Sequence, residues 1–155
     1  MRFIRTAVVA ASLAALGAVT AAPASAIKDH TIRYLSTNPV NTDIDLGAPG
    51  LSAGNKQVFT NDAVRDGKKI GFEAGECTVV LVTKERLAAH CVSTLVLEAG
   101  TITTQGVFQE VLRDGPRTLT TAVTGGTGRY RGASGQGLAV FIPNTDNGNV
   151  TISLD

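Results

Sequence analysis

After residue 26 this chain never sustains apolar side chains at helical spacing. Val, Ile, Thr and Leu come in short runs cut by Gly, Pro, Asn and Asp. β-Branched side chains favour pleated backbone, and glycine and Asx residues punctuate it with turns, so the chain folds mostly as strands. The runs predict strands at Thr31–Ser36, Gln57–Asn61, Lys69–Phe72, Cys77–Thr83, Ala89–Glu98, Thr101–Val107, Thr118–Thr124, Leu138–Ile142 and Asn149–Leu154. Turn chemistry lies at Arg65-Asp66-Gly67, Ala74-Gly75-Glu76, Asp114-Gly115-Pro116 and between Asn144 and Asn149. Many short strands without crossover helices give an all-β fold, an antiparallel sandwich or barrel, and closure favours the barrel because it removes exposed edges. The polar stretch from Asn38 to Asn55 reads as a loop, either a lid at a mouth or a plain surface connection.

The first residues follow different rules. Arg2 and Arg5 precede an apolar run from Thr6 to about Ala22, which ends in Pro23-Ala24-Ser25-Ala26. That order matches a secretory signal at residues 1–26, cleaved after Ala26. An N-terminal membrane anchor is the alternative, but the run is short of a span and contains Gly17 and Thr20. The expected product is secreted, has no membrane span after signal removal, and forms a single domain over residues 27–155. The signal takes two of the 14 basic side chains, leaving 12 against 13 acidic and a formal net charge of −1. With no run of like charge, nucleic acid is excluded as a partner, because phosphate binding needs a basic stripe.

Cys77 and Cys91 are the only cysteines. Outside the reducing cytoplasm a pair can stay oxidised, and compartment and spacing favour a disulfide over free thiols. If Cys77 faces Cys91, the hairpin between their strands is centred on Lys84, and Val79 and Leu81 sit beside Ala89 and Leu87 on one apolar face. A cross-link closing about 15 residues contributes roughly 3 kcal/mol in the chain-entropy account.

The densest motif is Thr124-Gly-Gly-Thr-Gly-Arg-Tyr-Arg-Gly-Ala-Ser-Gly135. A phosphate-binding loop needs a helix after its glycines, whereas Leu138-Ala-Val-Phe-Ile142 reads as a strand and no Lys follows. Gly125, Gly126 and Gly128 are therefore structural, supplying positive φ or close backbone approach. This stretch resembles the glycine-rich segment of allene oxide cyclases and, more loosely, of plant dirigent proteins. Lys68 to Cys77 and Gly100 to Gly106 are similar to cyclase segments in order and spacing.

The resemblance implies an eight-stranded antiparallel β-barrel, usually a homo-trimer, whose apolar cavity folds a reactive hydrophobic small molecule into one stereochemical outcome. It also implies that Asn61 and Cys77 line that cavity. Two departures stand against it: Thr31–Ser36 carries no carboxylate where the cyclases place a catalytic one, offering Tyr34 near that place, and Cys91 would lock Cys77 into a cystine. The expected ligand-binding residues are thus Tyr34, Asn61 and Cys77, with no catalytic residue assigned.

His30 and His90 have no metal-site spacing around them, so no metal and no cofactor are expected. No nucleophile elbow points to a hydrolase. Asp43, Asp45 and Asp66 are either acids at a barrel mouth or solvated turn residues. Asn149-Val150-Thr151 is a glycosylation sequon. Two readings of function stay open: an exported barrel steering the cyclisation or coupling of a hydrophobic substrate, and a non-catalytic ligand carrier or surface-interaction module.

Overall fold

The computed structural model describes residues 31–111 and 117–155, so the signal at residues 1–26, His30 and the Asp114-Gly115-Pro116 turn lie outside it. Eight strands follow one another: β1 (Thr31–Ile44), β2 (Lys56–Arg65), β3 (Lys68–Val82), β4 (Arg86–Leu97), β5 (Gly100–Val111), β6 (Thr118–Gly126), β7 (Gly135–Phe141) and β8 (Gly148–Leu154). Each pairs antiparallel with its sequence neighbours, and β1 closes on β8 from Thr31 opposite Ser153 to Ser36 opposite Gly148. The result is a closed eight-stranded barrel.

Side chains alternate inward and outward along each strand. On β1, Ile32, Tyr34 and Ser36 are buried while Arg33 is exposed. The packed core of Ile32, Tyr34, Ala63, Leu95, Ile102, Val123, Ala133, Ile152 and Leu154 gathers at the end where the odd-numbered strands begin. That end is the floor of the barrel. The end where they finish is its mouth.

The nine expected runs become eight strands because Lys69–Phe72 and Cys77–Thr83 are two halves of β3, and Ala74-Gly75-Glu76 is no turn. Gly75 is there for room: a Cβ would stand 2.4 Å from the Val92 carbonyl oxygen and 2.7 Å from the Phe59 ring. The expected loop from Asn38 is half strand, since β1 continues to Ile44 paired with β2, leaving only residues 45–55 as loop. A register shift between Thr37 and Val40, where Asn38 has φ 50°, lets the strand turn outward past the polar residues.

Cys77 faces Cys91 as expected, but a second irregularity follows, so Leu81 pairs with Ala88 rather than Leu87 and is 45% exposed. The hairpin closes through Thr83, whose N–H donates to the Arg86 carbonyl oxygen. Between β6 and β7, Gly128 has φ 59°, and a Cβ there would lie 2.4 Å from the Ala99 oxygen. The glycine-rich segment is a tight floor connection, as its composition implies.

Candidate functional site

Inward alternation brings Tyr34 of β1, Glu73 of β3, Ser93 of β4 and Thr104 of β5 together in a narrow cavity of about 50 Å³. The rest of its wall is mainly apolar, with Phe59, Leu95, Leu119 and Ile152. Both oxygens of the Glu73 carboxylate are engaged: the Tyr34 hydroxyl donates to Oε2 at 3.2 Å, and the Ser93 hydroxyl donates to Oε1 at 2.6 Å. Ser93 in turn lies 2.9 Å from the Thr104 hydroxyl. With Ser93 donating to the carboxylate, the Thr104 hydroxyl is left as the donor in that last bond.

Burial pushes the Tyr34 phenol well above its ordinary value, and the negative charge of Glu73 and the hydrogen bond to it push the same way. Tyr34 therefore stays protonated, and its proton points at the carboxylate. The Glu73 carboxylate is half-buried, and the two hydroxyls replace part of the water it would otherwise bind. The acid is thus present in the barrel, supplied by β3 rather than β1. The first strand carries no carboxylate, as its sequence reads, and the supposed turn at residues 74–76 hid the one that β3 supplies, Glu73. Its parity with Cys77, four residues along one strand, is the signal that places it inside.

Above this network a wider cavity of about 500 Å³ opens at the mouth, lined by Asp43, Asp45, Lys56, Gln57, Cys77, Phe108 and Arg117 among others. Gln57 donates to Asp43 at 2.9 Å, the Gly50 N–H donates to Asp45 at 3.2 Å, and Lys56 pairs with Glu76 at 3.1 Å. The Arg117 guanidinium lies 5.1 Å from the Phe141 ring centre and donates to the Thr145 carbonyl, while Phe141 meets Phe108 edge to face at 6.0 Å. Loop 45–55 folds around Asn55, whose side-chain oxygen accepts from the Leu46 and Gly47 N–H groups and whose amide donates to the Gly50 oxygen at 2.7 Å. Two backbone bonds to Val79, each 2.8 Å, fasten the loop to β3.

The two cavities take inward side chains at different levels of the same strands: Gln57 above Phe59 on β2, Cys77 above Glu73 on β3, Ala89 above Cys91 on β4 and Phe108 above Thr104 on β5, with Arg117, just before β6, above Leu119. The Cys77–Cys91 disulfide is formed, and it lies on the boundary. Four residues at about 3.3 Å each place Glu73 some 13 Å below Cys77 along β3.

Of the expected ligand contacts, Tyr34 lines the narrow cavity and Cys77 the mouth. Asn61 lies directly opposite Glu73 in the β2–β3 pairing but lines neither cavity. Asp43 and Asp45 reach the mouth, whereas Asp66 sits in the β2–β3 turn at the floor. His90 lies 2.9 Å from the Gln105 amide, which is exposed, and Asn149 of the sequon is exposed on β8. Glu73, Ser93, Thr104 and Arg117 escaped the sequence reading.

Among solved structures, the chain is similar to a pyocyanin demethylase at 26% identity and a TM-score of 0.68, covering 81% of this chain and 99% of that one. It shares its fold with a Diels-Alderase from Streptomyces koyangensis (15% identity, TM-score 0.62, 81% of this chain and 64% of that one). The fold is also that of a pterocarpan synthase dirigent protein (20% identity, TM-score 0.55, 80% of this chain and 84% of that one). No curated protein sequence matches the chain. The closed antiparallel barrel agrees with a family match over residues 35–154, and the chain belongs to the family described as allene oxide cyclase barrel like domain.

Proposed function

We propose that this protein is an exported barrel that takes a hydrophobic small molecule in through its mouth and steers its conversion over the Tyr34–Glu73 pair. The observation that carries this reading is a half-buried carboxylate held at both oxygens by hydroxyls in a largely apolar cavity, beside a phenol whose proton it holds in place. The walls hold a flexible substrate in one conformer, which supplies orientation without covalent chemistry. Glu73 adds what shape alone lacks: a fixed negative charge to stabilise developing positive charge, or a base for a proton in reach, with Tyr34 as the matching donor.

The neighbours support a steering barrel in two ways. Those sharing its fold include a Diels-Alderase and a dirigent protein, and the neighbour above 25% identity is named for demethylating pyocyanin. Export rests on the signal at residues 1–26 and is compatible with the cystine. Among the described residues no helix is long and apolar enough to cross a membrane. The mouth, at about 500 Å³, falls in the range of small-molecule pockets, whereas the cavity beside Glu73, at about 50 Å³, has room only for water-sized groups. That narrowness, the carboxylate-free first strand and the Cys77–Cys91 cystine favour the rival, a carrier that binds at the mouth and converts nothing.

Pyocyanin and a panel of unsaturated cyclisation substrates, incubated with the wild type and with Glu73→Gln, separate the two. Turnover by the wild type that falls at least about a hundredfold in Glu73→Gln, with binding retained, is the expected result. Stoichiometric binding without product, unchanged by Glu73→Gln, establishes the carrier. Failure of every compound to bind overturns both.

A further inference from the structure

The cystine in this barrel sits where a ligand would touch it. Cys77 lines the mouth cavity, whereas Cys91 is 4% exposed and lines the narrow cavity below. The bond joins two residues that face each other across β3 and β4, Cys77 half-buried at the mouth and Cys91 buried. The hairpin already holds these residues face to face, with ladder pairs continuing on both sides from Gly71 opposite Leu97 to Val82 opposite Leu87. The cross-link ties strands that are adjacent without it.

We propose that Cys77 is the site at which a low-molecular-weight thiol, entering through the mouth, forms a mixed disulfide with the protein. Thiol–disulfide exchange requires the attacking sulfur, the attacked sulfur and the leaving sulfur in line, and attack is favoured at the accessible sulfur. Here the more exposed residue is Cys77, which takes the attack, and the buried Cys91 supplies the leaving sulfur on the side of the lower cavity. The thiolate lone pair forms the new bond to Cys77 Sγ, the Cys77–Cys91 bond breaks, and its electron pair goes to Cys91 Sγ. The proton released when the incoming thiol ionised is recovered there. One disulfide is exchanged for another and no external oxidant is consumed.

The mouth also indicates which thiols fit. Asp43 and Asp45 line the same mouth as Arg117, so both signs of charge are offered to one guest. An amino-acid thiol, carrying an ammonium and a carboxylate, matches that lining better than a thiol of a single charge. Attack at Cys77 stands independently of any hydrophobic substrate. Only its consequence, that the adduct occludes the route to Glu73, rests on the function proposed above.

The probe is L-cysteine with the wild-type protein, quenched in acid and mapped by mass spectrometry, alongside L-cystine with Cys91→Ser and Cys77→Ser. The acid quench is needed because the Cys91 thiol otherwise recloses the original bond. In the wild type the cysteinyl adduct is expected on Cys77 alone. In Cys91→Ser the remaining Cys77 thiol is expected to react at least a hundredfold faster than Cys91 does in Cys77→Ser. Cysteamine and 2-mercaptoethanesulfonate, each of one charge, are expected to react several-fold more slowly than cysteine with the wild type. An adduct on Cys91, an even mixture, or no adduct below the denaturant concentration that unfolds the barrel overturns the assignment. The wild-type experiment decides the matter even if a single-cysteine variant fails to fold.

Discussion

Tyr34 shows how one side chain links the site to the stability of the fold. Its phenol is buried beside Glu73, so the folded protein keeps a proton that the unfolded chain releases near pH 10. Below that pH both states carry the proton and stability is insensitive to it. As pH rises past about 10, the unfolded state binds fewer protons than the folded one, and stability falls toward the raised folded value. Denaturant midpoints measured from about pH 8 to 11 are expected to drop more steeply for the wild type than for Tyr34→Phe, which has no phenol to ionise. At neutral pH the variant is expected to lose about 1 kcal/mol, because one Glu73 oxygen loses its donor. Tyr34 was readable as a cavity residue from the sequence, from its place on the first strand. Glu73 was not, since nothing local distinguishes a carboxylate beside Ala-Gly-Glu in a turn from one pointing into a barrel.

At the scale of the element, β3 is where the sequence reading and the structure part. Glycine breaks a predicted strand because it usually marks a turn, yet Gly75 lies in mid-strand, with the Phe59 ring and the β4 backbone in the space a side chain would fill. Gly75→Ala therefore forces the Cβ against a backbone carbonyl that cannot swing aside. The expected cost is about 1–3 kcal/mol, read as a lower urea midpoint at unchanged slope. A neutral result would mean that β3 and β4 part locally without loss, which crystallography of the variant would show. The loop at residues 45–55 teaches a related lesson. Its polar composition was plain, but its folding around the single side chain of Asn55 depends on where β3 offers Val79.

For the whole molecule, closure is the dominant fact, because every strand has two partners and the barrel has no edge. The cystine adds to a sheet already held in register. Replacing both cysteines with Ala is expected to leave the barrel closed, with stability lowered by about 3 kcal/mol and the melting temperature by roughly 10 °C. Calorimetry with circular dichroism checks both; a variant lacking strand signal at room temperature would show that the cross-link is needed for folding itself. What the sequence determined alone was local: strand content, the disulfide partners, the glycine connection, and the family through its ordered segments. The strands and the glycine connection follow from neighbours a few residues apart, and the disulfide from the chain having two cysteines. What only the tertiary structure decided was the grouping of Tyr34, Glu73, Ser93 and Thr104, and the stacking of two cavities with the cystine between them. Those four residues come from four strands, and their meeting depends on the register of each pairing and on the four irregularities that shift it, quantities that no stretch of sequence states because they are settled by all eight strands closing at once.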